Sequence, residues 1–245
     1  MNKQYKMLTI LLSVLTGLVI LTGSIAVPLL CRPFYYAHIE TLDLCDYTGL
    51  SVEQICLAYD EMMDFCLGLR PDFAVGGLLW SASGRDHFVD VKSLFLLDLA
   101  VLVGALAVLV LICLLCKKKG WRPAGLKGHG AGFWAAVGLG ALFVLVGGLA
   151  ALDFDRAFVV FHQIFFPGKS NWIFDWHTDP IILLLPQVFF QNCAILILAL
   201  ILVWCGVLIG TDLWANKQRE KRRKQKLEQQ FPSCGGNCEG CSGCG

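Results

Sequence analysis

The chain has 245 residues, 56% of them hydrophobic and 16% charged, with a formal net charge of +1. A mean hydropathy of +0.64 lies outside the range of ordinary soluble domains, so length is spent on membrane spans rather than on one globular core. The near-neutral balance gives no footing for nucleic-acid binding, and it hides a strong sorting of charge along the chain.

Four apolar runs, about 7–30, 94–116, 131–152 and 181–209, each meet the requirement of about 20 mainly apolar residues. The first contains Ser24-Ile25-Ala26, a passable cleavage site, yet it is longer than a signal-peptide core of about 7 to 15 residues, so it is expected as a retained helix. The N-terminal hexapeptide, the 117–130 connection and the tail from 211 hold 14 of the 20 basic residues, and all lie on one side of a four-span chain. By the positive-inside rule that side is the cytoplasm. The loops 31–93 and 153–180 on the other side hold 14 of the 19 acidic residues and four of the five histidines. The expected fold is therefore an all-α membrane protein, a four-transmembrane-helix bundle with both termini inside. A catalytic unit spans 1–216, and a basic, then Cys-rich, cytoplasmic tail spans 217–245. The extracytoplasmic loops are expected to carry a short amphipathic helix and an interfacial segment.

In the first span, Gly17, Gly23 and Ser24 offer close-packing points, and Pro28 should kink or end the helix. Beyond it, Ser51 and Gln54 fit a capping box, followed by Ile55, Tyr59, Met62 and Cys66 at helical spacing. A helix over 52–67 is expected, resting on the membrane or the bundle mouth. Its wet face would carry Glu53, Asp60, Glu61 and Asp64, which lack the register of an EF-hand loop. Cys31, Cys45, Cys56 and Cys66 are even in number and could pair, depending on the redox environment. Residues 73–80 should dip towards the headgroups. A second long helix starting near Asp86 would align His87, Asp90, Leu94 and Asp98 on one face. Asp98 then lies about 16 Å below His87 and should find a partner in the bundle interior. Asp90, one turn from His87, is placed to accept its ring N–H.

His129 reads as a solvated loop residue. In the third span Gly132, Ala136 and Gly140 make a small-xxx-small face for close helix contact. The segment 153–186 is too polar to span and too aromatic for water. In it His162 is boxed by Phe158, Phe161, Phe165 and Phe166. A turn at Pro167-Gly168 follows, then Trp172, Phe174 and Trp176 as an aromatic belt. Asp179 and Pro180 read as N-cap and first position of the fourth helix, kinked at Pro186. Gln187, Gln191 and Asn192 give that helix a polar stripe for interhelical hydrogen bonds. The basic run from Lys217 to Lys226 should meet anionic lipid. Cys234, Cys238, Cys241 and Cys244 have a metal-ligand composition, in a tail dispensable for the chemistry.

Two histidines at outer helix borders, each with carboxylates in its segment, suggest acyl transfer or ester hydrolysis by general acid–base catalysis. The structural alternative, a satisfied histidine, weakens when two share one border. No active-site metal or other cofactor is expected, because no third ligand stands at a recognisable spacing. Asp90 is the expected orienter. Arg85 and Arg156 are oxyanion or headgroup partners, Asp175 and Asp179 supporting carboxylates, and Phe88, Phe161, Phe165 and Trp172 substrate contacts. Competing readings are an outer-leaflet lipid hydrolase or acyltransferase with a covalent Ser or Cys intermediate, and a non-enzymatic accessory or metal-sensing protein. Ser81 and Ser83 are the serine candidates, though neither sits in a G-x-S-x-G elbow.

His87, Phe88, Asp90 and Val91, together with Phe161, His162, Phe165, Phe166, Trp172, Phe174, Asp175, Thr178, Asp179, Pro180 and Pro186, resemble the lipoprotein intramolecular transacylase family, Lit. The resemblance covers the chain from its first to its fourth span and leaves out the cysteine tail. It implies a monomeric enzyme of the bacterial plasma membrane with its site on the extracytoplasmic side. Its partners would be diacylglyceryl-modified lipoproteins and membrane lipid. The sn-2 acyl chain of an S-diacylglyceryl lipoprotein would move to the α-amine of its N-terminal cysteine, leaving the lyso form. The family's two catalytic histidines carry over to His87 and His162, with their individual roles open.

Overall fold

The computed structural model describes residues 3–230, so the four-cysteine cluster of the tail lies outside it. Four long helices, α1 (Lys3–Leu30), α5 (Ala82–Lys119), α6 (Ala131–Leu152) and α8 (Gln187–Gln230), carry segments long and apolar enough to cross a membrane. The 22 residues of α6 rise about 33 Å, close to the hydrocarbon thickness of about 30 Å. Leu97, Val103, Leu145 and Val203 are well exposed, as expected of lipid-facing positions. Pro28 lies inside α1 near its end and does not terminate it.

Helix α1 is the axis of the bundle, packed by α5, α6 and α8. Its hydroxyls also pin the α5–α6 connection. Thr9 donates to the Ala124 carbonyl at 2.7 Å and Ser13 to that of Ala131 at 3.0 Å. Helix α6 meets α8 along the expected small-residue face. A Cβ on Gly132 would touch Leu208 at 3.4 Å, and one on Gly140 would touch Cys205 at 3.6 Å. Ala136 and Ile201 between them are fully buried.

The 31–93 segment is more structured than expected. It folds into α2 (Arg32–Thr41), α3 (Leu44–Thr48) and α4 (Val52–Cys66). The capping box of α4 is present, with Ser51 and Gln54 exchanging both hydrogen bonds. Its apolar face, however, is no membrane-resting surface. Ile55, Tyr59, Met62 and Cys66 are buried in a core shared with Tyr35, Phe73, Leu184 and Phe189. Tyr35 stacks on Tyr59 at 3.6 Å and donates its hydroxyl to the Leu184 carbonyl at 2.9 Å. The acidic face is also not simply wet, because Arg32 bridges Asp60 and Asp64 at 2.8 and 2.5 Å and Arg70 pairs with Glu61 at 2.8 Å. In the segment 73–80, expected to dip towards the headgroups, Phe73 and Val75 enter this core and Leu79 and Trp80 are exposed. Among the described residues, Cys31, Cys45, Cys56 and Cys66 are unpaired.

Helix α5 begins at Ala82 rather than near Asp86, because Ser81 caps it by accepting from the Gly84 N–H at 3.0 Å. Its first three turns precede the apolar run that starts at Leu94. The fourth span is corrected too. Pro180–Leu184 form a short 3-10 turn, and α8 begins only at Gln187. Pro186 has no N–H and biases Leu185 away from helical backbone, so it separates two elements instead of kinking one. Gln187 bonds Asp155 and Asn192 bonds His38, while Gln191 is exposed. Asp98 Oδ2 is buried without the expected partner among the described residues. His129 is no solvated residue: its Nδ1 lies 2.6 Å from Asp212 and its ring stacks on Phe133 at 3.9 Å.

Candidate active site

Helix α6 stops at Asp153, whose extended backbone turns the chain and whose carboxylate caps α7 (Phe154–Phe165) by accepting from the Arg156 N–H at 2.9 Å. Phe154, Phe158, Phe161, His162 and Phe165 fall at three- and four-residue spacing along α7, so one aromatic stripe surrounds the histidine. His162 is buried, with Phe158 at 4.3 Å and Phe161 at 5.5 Å between ring centroids. The chain then turns at Pro167-Gly168, where Gly168 takes a φ of 73° that favours glycine, and returns so that Trp172 stacks on His162 at 4.6 Å.

His87 comes from the second turn of α5 and is also buried, against Phe166 at 5.0 Å and Phe174 at 5.4 Å. The two imidazoles face one another, with centroids 5.9 Å apart and planes inclined at 31°. His162 Nδ1 donates to the Phe158 carbonyl at 2.8 Å, so the neutral ring keeps its lone pair on Nε2. His87 lies ahead of the membrane-spanning run. Burial, then the neighbouring His162 and Lys169, push its pKa down to about 4 against the pull of Asp90. Burial also lowers the pKa of His162, opposed by its bond to Phe158. Both rings are therefore neutral bases at physiological pH.

Asp90 does not accept from the His87 ring. It takes hydrogen bonds from Lys169 Nζ at 2.5 Å and Asn171 Nδ2 at 3.2 Å, tying the loop after α7 to α5. Burial alone would raise the Asp90 pKa, but these partners and the charge of Lys169 hold it below the usual carboxylate range. His87 Nδ1 and Asn171 Oδ1 are buried and lack a hydrogen-bond partner among the described residues.

Asp179 is buried and accepts from the Ser81 N–H, the Ser81 hydroxyl and the Thr178 hydroxyl at 2.7, 2.8 and 2.9 Å. It therefore holds the start of α5 rather than capping the next helix. Ser81 is engaged as N-cap, and Ser83 is exposed. Phe88 is buried on Phe73 at 5.0 Å and 5.9 Å from His87. Phe161 and Phe165 pair at 4.6 Å on the exposed side of α7. Arg85 is exposed beside Asp86, Arg156 is exposed, and Asp175 is exposed and bonded to His177 at 2.9 Å; none of the three contacts an imidazole of the pair. Of the residues that complete the site, Phe166 was expected beside His162 and Phe174 in the aromatic belt, whereas Lys169, Asn171 and Gly84 carried no local signal.

The model of the family described as lipoprotein intramolecular transacylase Lit matches residues 10–190, which include both histidines. Among solved structures, the in meso structure of the membrane-integral lipoprotein intramolecular transacylase Lit from Bacillus cereus is similar, with a TM-score of 0.78 and 25% identity over 91% of this chain and 100% of that one. Two structures of the Bacillus cereus protein with a histidine replaced, by arginine in one and alanine in the other, give TM-scores of 0.72 and 0.73. Both are 23% identical over 89% of this chain, covering 95% and 96% of theirs. A comparison with curated protein sequences finds no match. Four apolar helices and these likenesses make the chain a multi-pass membrane protein and an acyltransferase. With three quarters of its length matched by one family model, the chain belongs to the lipoprotein intramolecular transacylase family, Lit.

Proposed function

We propose that this enzyme moves the sn-2 acyl chain of an S-diacylglyceryl lipoprotein to the α-amine of its N-terminal cysteine, by general acid–base catalysis at His87 and His162. The observation that carries this reading is the imidazole pair, two neutral bases buried face to face with 5.9 Å between centroids. The reaction needs a base for the attacking amine and an acid for the departing glyceryl oxygen, and nothing else covalent.

An α-amine has a reference pKa of about 7.7 to 8, close enough to neutrality for an imidazole to take its proton as nitrogen attacks the sn-2 ester carbonyl. The N–C bond forms, the C–O bond to glycerol breaks, and the glyceryl oxygen receives a proton from an imidazolium. The products are an amide and a free secondary hydroxyl, with atoms and charge conserved. Donor and acceptor belong to one molecule, so no acyl-enzyme is needed. The aromatic walls formed by Phe158, Phe166, Trp172 and Phe174 keep water from intercepting the ester.

The site faces the extracytoplasmic side in this reading, with both termini inside, because the basic α5–α6 turn and the basic end of α8 lie at the opposite end of the bundle. Extensive packing of α5 is with α1 and α4 rather than with α6 or α8. Acyl chains would enter laterally between α5 and α8.

The test is expression in a cell whose lipoproteins are S-diacylglyceryl with a free amine, followed by mass spectrometry of their N-terminal peptides. Wild type should yield an N-acyl, S-monoacylglyceryl peptide, and His87→Ala and His162→Ala should not. An unchanged peptide despite good membrane expression of the wild type would sink the reading.

A further inference from the structure

Resting on the transacylase reading, we infer that Asp90 is a positioning residue for His162, the imidazole on the other segment, and not for His87, one turn away on its own helix. A run of contacts connects the two. Asp90 Oδ1 accepts from Lys169 Nζ at 2.5 Å, and its Oδ2 accepts from Asn171 Nδ2 at 3.2 Å. The Lys169 carbonyl accepts from the Trp172 indole N–H at 3.1 Å, and that indole lies on His162 with centroids 4.6 Å apart and planes inclined at 29°. His87 Nδ1, by contrast, has no hydrogen-bond partner among the described residues.

The loop needs such a tether. Between buried Phe166 and half-buried Phe174, residues 167–173 are mostly exposed. Their backbone bonds stay local, from the Lys169 N–H to the Phe166 carbonyl and from the Ile173 N–H to the Ser170 carbonyl, both at 3.1 Å. Among the described residues, both side-chain hydrogen bonds that this loop makes outside itself end on Asp90. A loop with few buried apolar contacts opens easily on its own, so the placing of Trp172 falls to that carboxylate. The bond from Lys169 is charge-assisted, and an Asp90 side chain only 21% exposed keeps it less screened than a pair in open water. The other anchors of His162 belong to α7 itself: the Phe158 carbonyl on Nδ1 and the Phe158 ring at 4.3 Å. Release of Asp90 would therefore leave the histidine on its helix but uncover its ring to water and to rotation, and a small misplacement of a catalytic group is costly.

The purified full-length enzyme gives two readouts: carbethoxylation of His162 by diethyl pyrocarbonate in the absence of substrate, followed by peptide mass spectrometry, and turnover to lyso-form lipoprotein. His162 is 7% exposed and should react slowly in wild type. Asp90→Ala should speed that reaction and lower kcat, each at least about tenfold, with little change in KM. In a Trp172→Ala background the same change should add less than about twofold to either, because no stacked ring is left to place. Exchanging the partners, Asp90→Lys with Lys169→Asp, should restore slow carbethoxylation and most of kcat, although it puts a cation beside His87. Equal carbethoxylation of wild type and Asp90→Ala, a full further loss in the Trp172→Ala background, or an exchange that restores neither readout at a wild-type melting temperature would each overturn the assignment. An enzyme that shows this protection pattern yet forms no lyso-form product would instead overturn the transacylase reading.

Discussion

A Cβ placed on Gly84 would lie 2.2 Å from Oδ1 of Asp179. The carboxylate cannot retreat easily, because the Ser81 backbone and the Ser81 and Thr178 hydroxyls hold it. Phe174, which touches His87, would meet the same Cβ at 3.1 Å. Gly84→Ala should therefore cost about 1 to 3 kcal/mol and reduce turnover more than tenfold while the protein still inserts. A thermal melt beside the lipoprotein mass spectrum checks both. Asp179→Ala combined with Gly84→Ala should cost less than the two single changes added together, since one steric conflict is shared.

Both imidazoles have pKa values depressed by burial, so protonation, which removes the base, requires more acid than for a free histidine. Activity should be lost as pH falls, with the enzyme limb of kcat below the free-histidine value of about 6.5. Trp172→Ala strips the ring stacked on His162 and admits water. Its acid limb should move up towards 6.5. The substrate amine contributes its own limb at about 8, so the test is the limb below it: one that moves down in the variant would contradict the neutral-pair mechanism.

The Ser81 hydroxyl is committed as acceptor from Gly84 and donor to Asp179, so it is not a free nucleophile. Ser81→Ala should lower stability by about 1 kcal/mol, as loss of an N-cap does, with measurable turnover remaining. Hydroxylamine should release no acyl group from the wild-type enzyme. Complete inactivation of Ser81→Ala at unchanged melting temperature would favour an acyl-enzyme.

Arg32 joins α2 to α4 through Asp60 and Asp64. It is only partly exposed and serves two carboxylates at once, which lifts it above an isolated surface pair. Arg32→Met should destabilise the packing of α2 on α4 by about 1 to 2 kcal/mol, read as a lower melting temperature, with little change in kcat at 25 °C.

Removal of residues 231–245 should leave the lyso-form product unchanged, because the family match ends at residue 190 and both imidazoles lie far upstream of the tail. Loss of the product on truncation, with protein still in the membrane, would give the cysteines a part in the chemistry.

Much of this was legible in the chain. Apolar runs of span length, the Ser51–Gln54 capping box, the glycine face of α6 and the two aromatic-bordered histidines are local patterns, set by hydrogen-bond periodicity and side-chain size within a few residues. Where two local signals competed, tertiary contacts decided. Asp179 looked like an N-cap for the helix after it, but its carboxylate serves Ser81, at the start of a helix far upstream. Asp90 stands one turn from His87 and looked like its orienter, yet a lysine carried in by the returning loop offers it a full charge, and a charge-assisted bond outcompetes one to a neutral ring. Ile55, Tyr59 and Met62 announced an amphipathic helix, but the identity of what covers them, Tyr35 and Leu184 rather than lipid, depends on loops meeting across the bundle. The sequence by itself determined which residues could span, cap, turn and accept protons, since those properties are carried by short stretches. Only the tertiary structure decided which of them meet, because the 5.9 Å approach of His87 to His162 depends on α1 holding α5, α6 and α8 together.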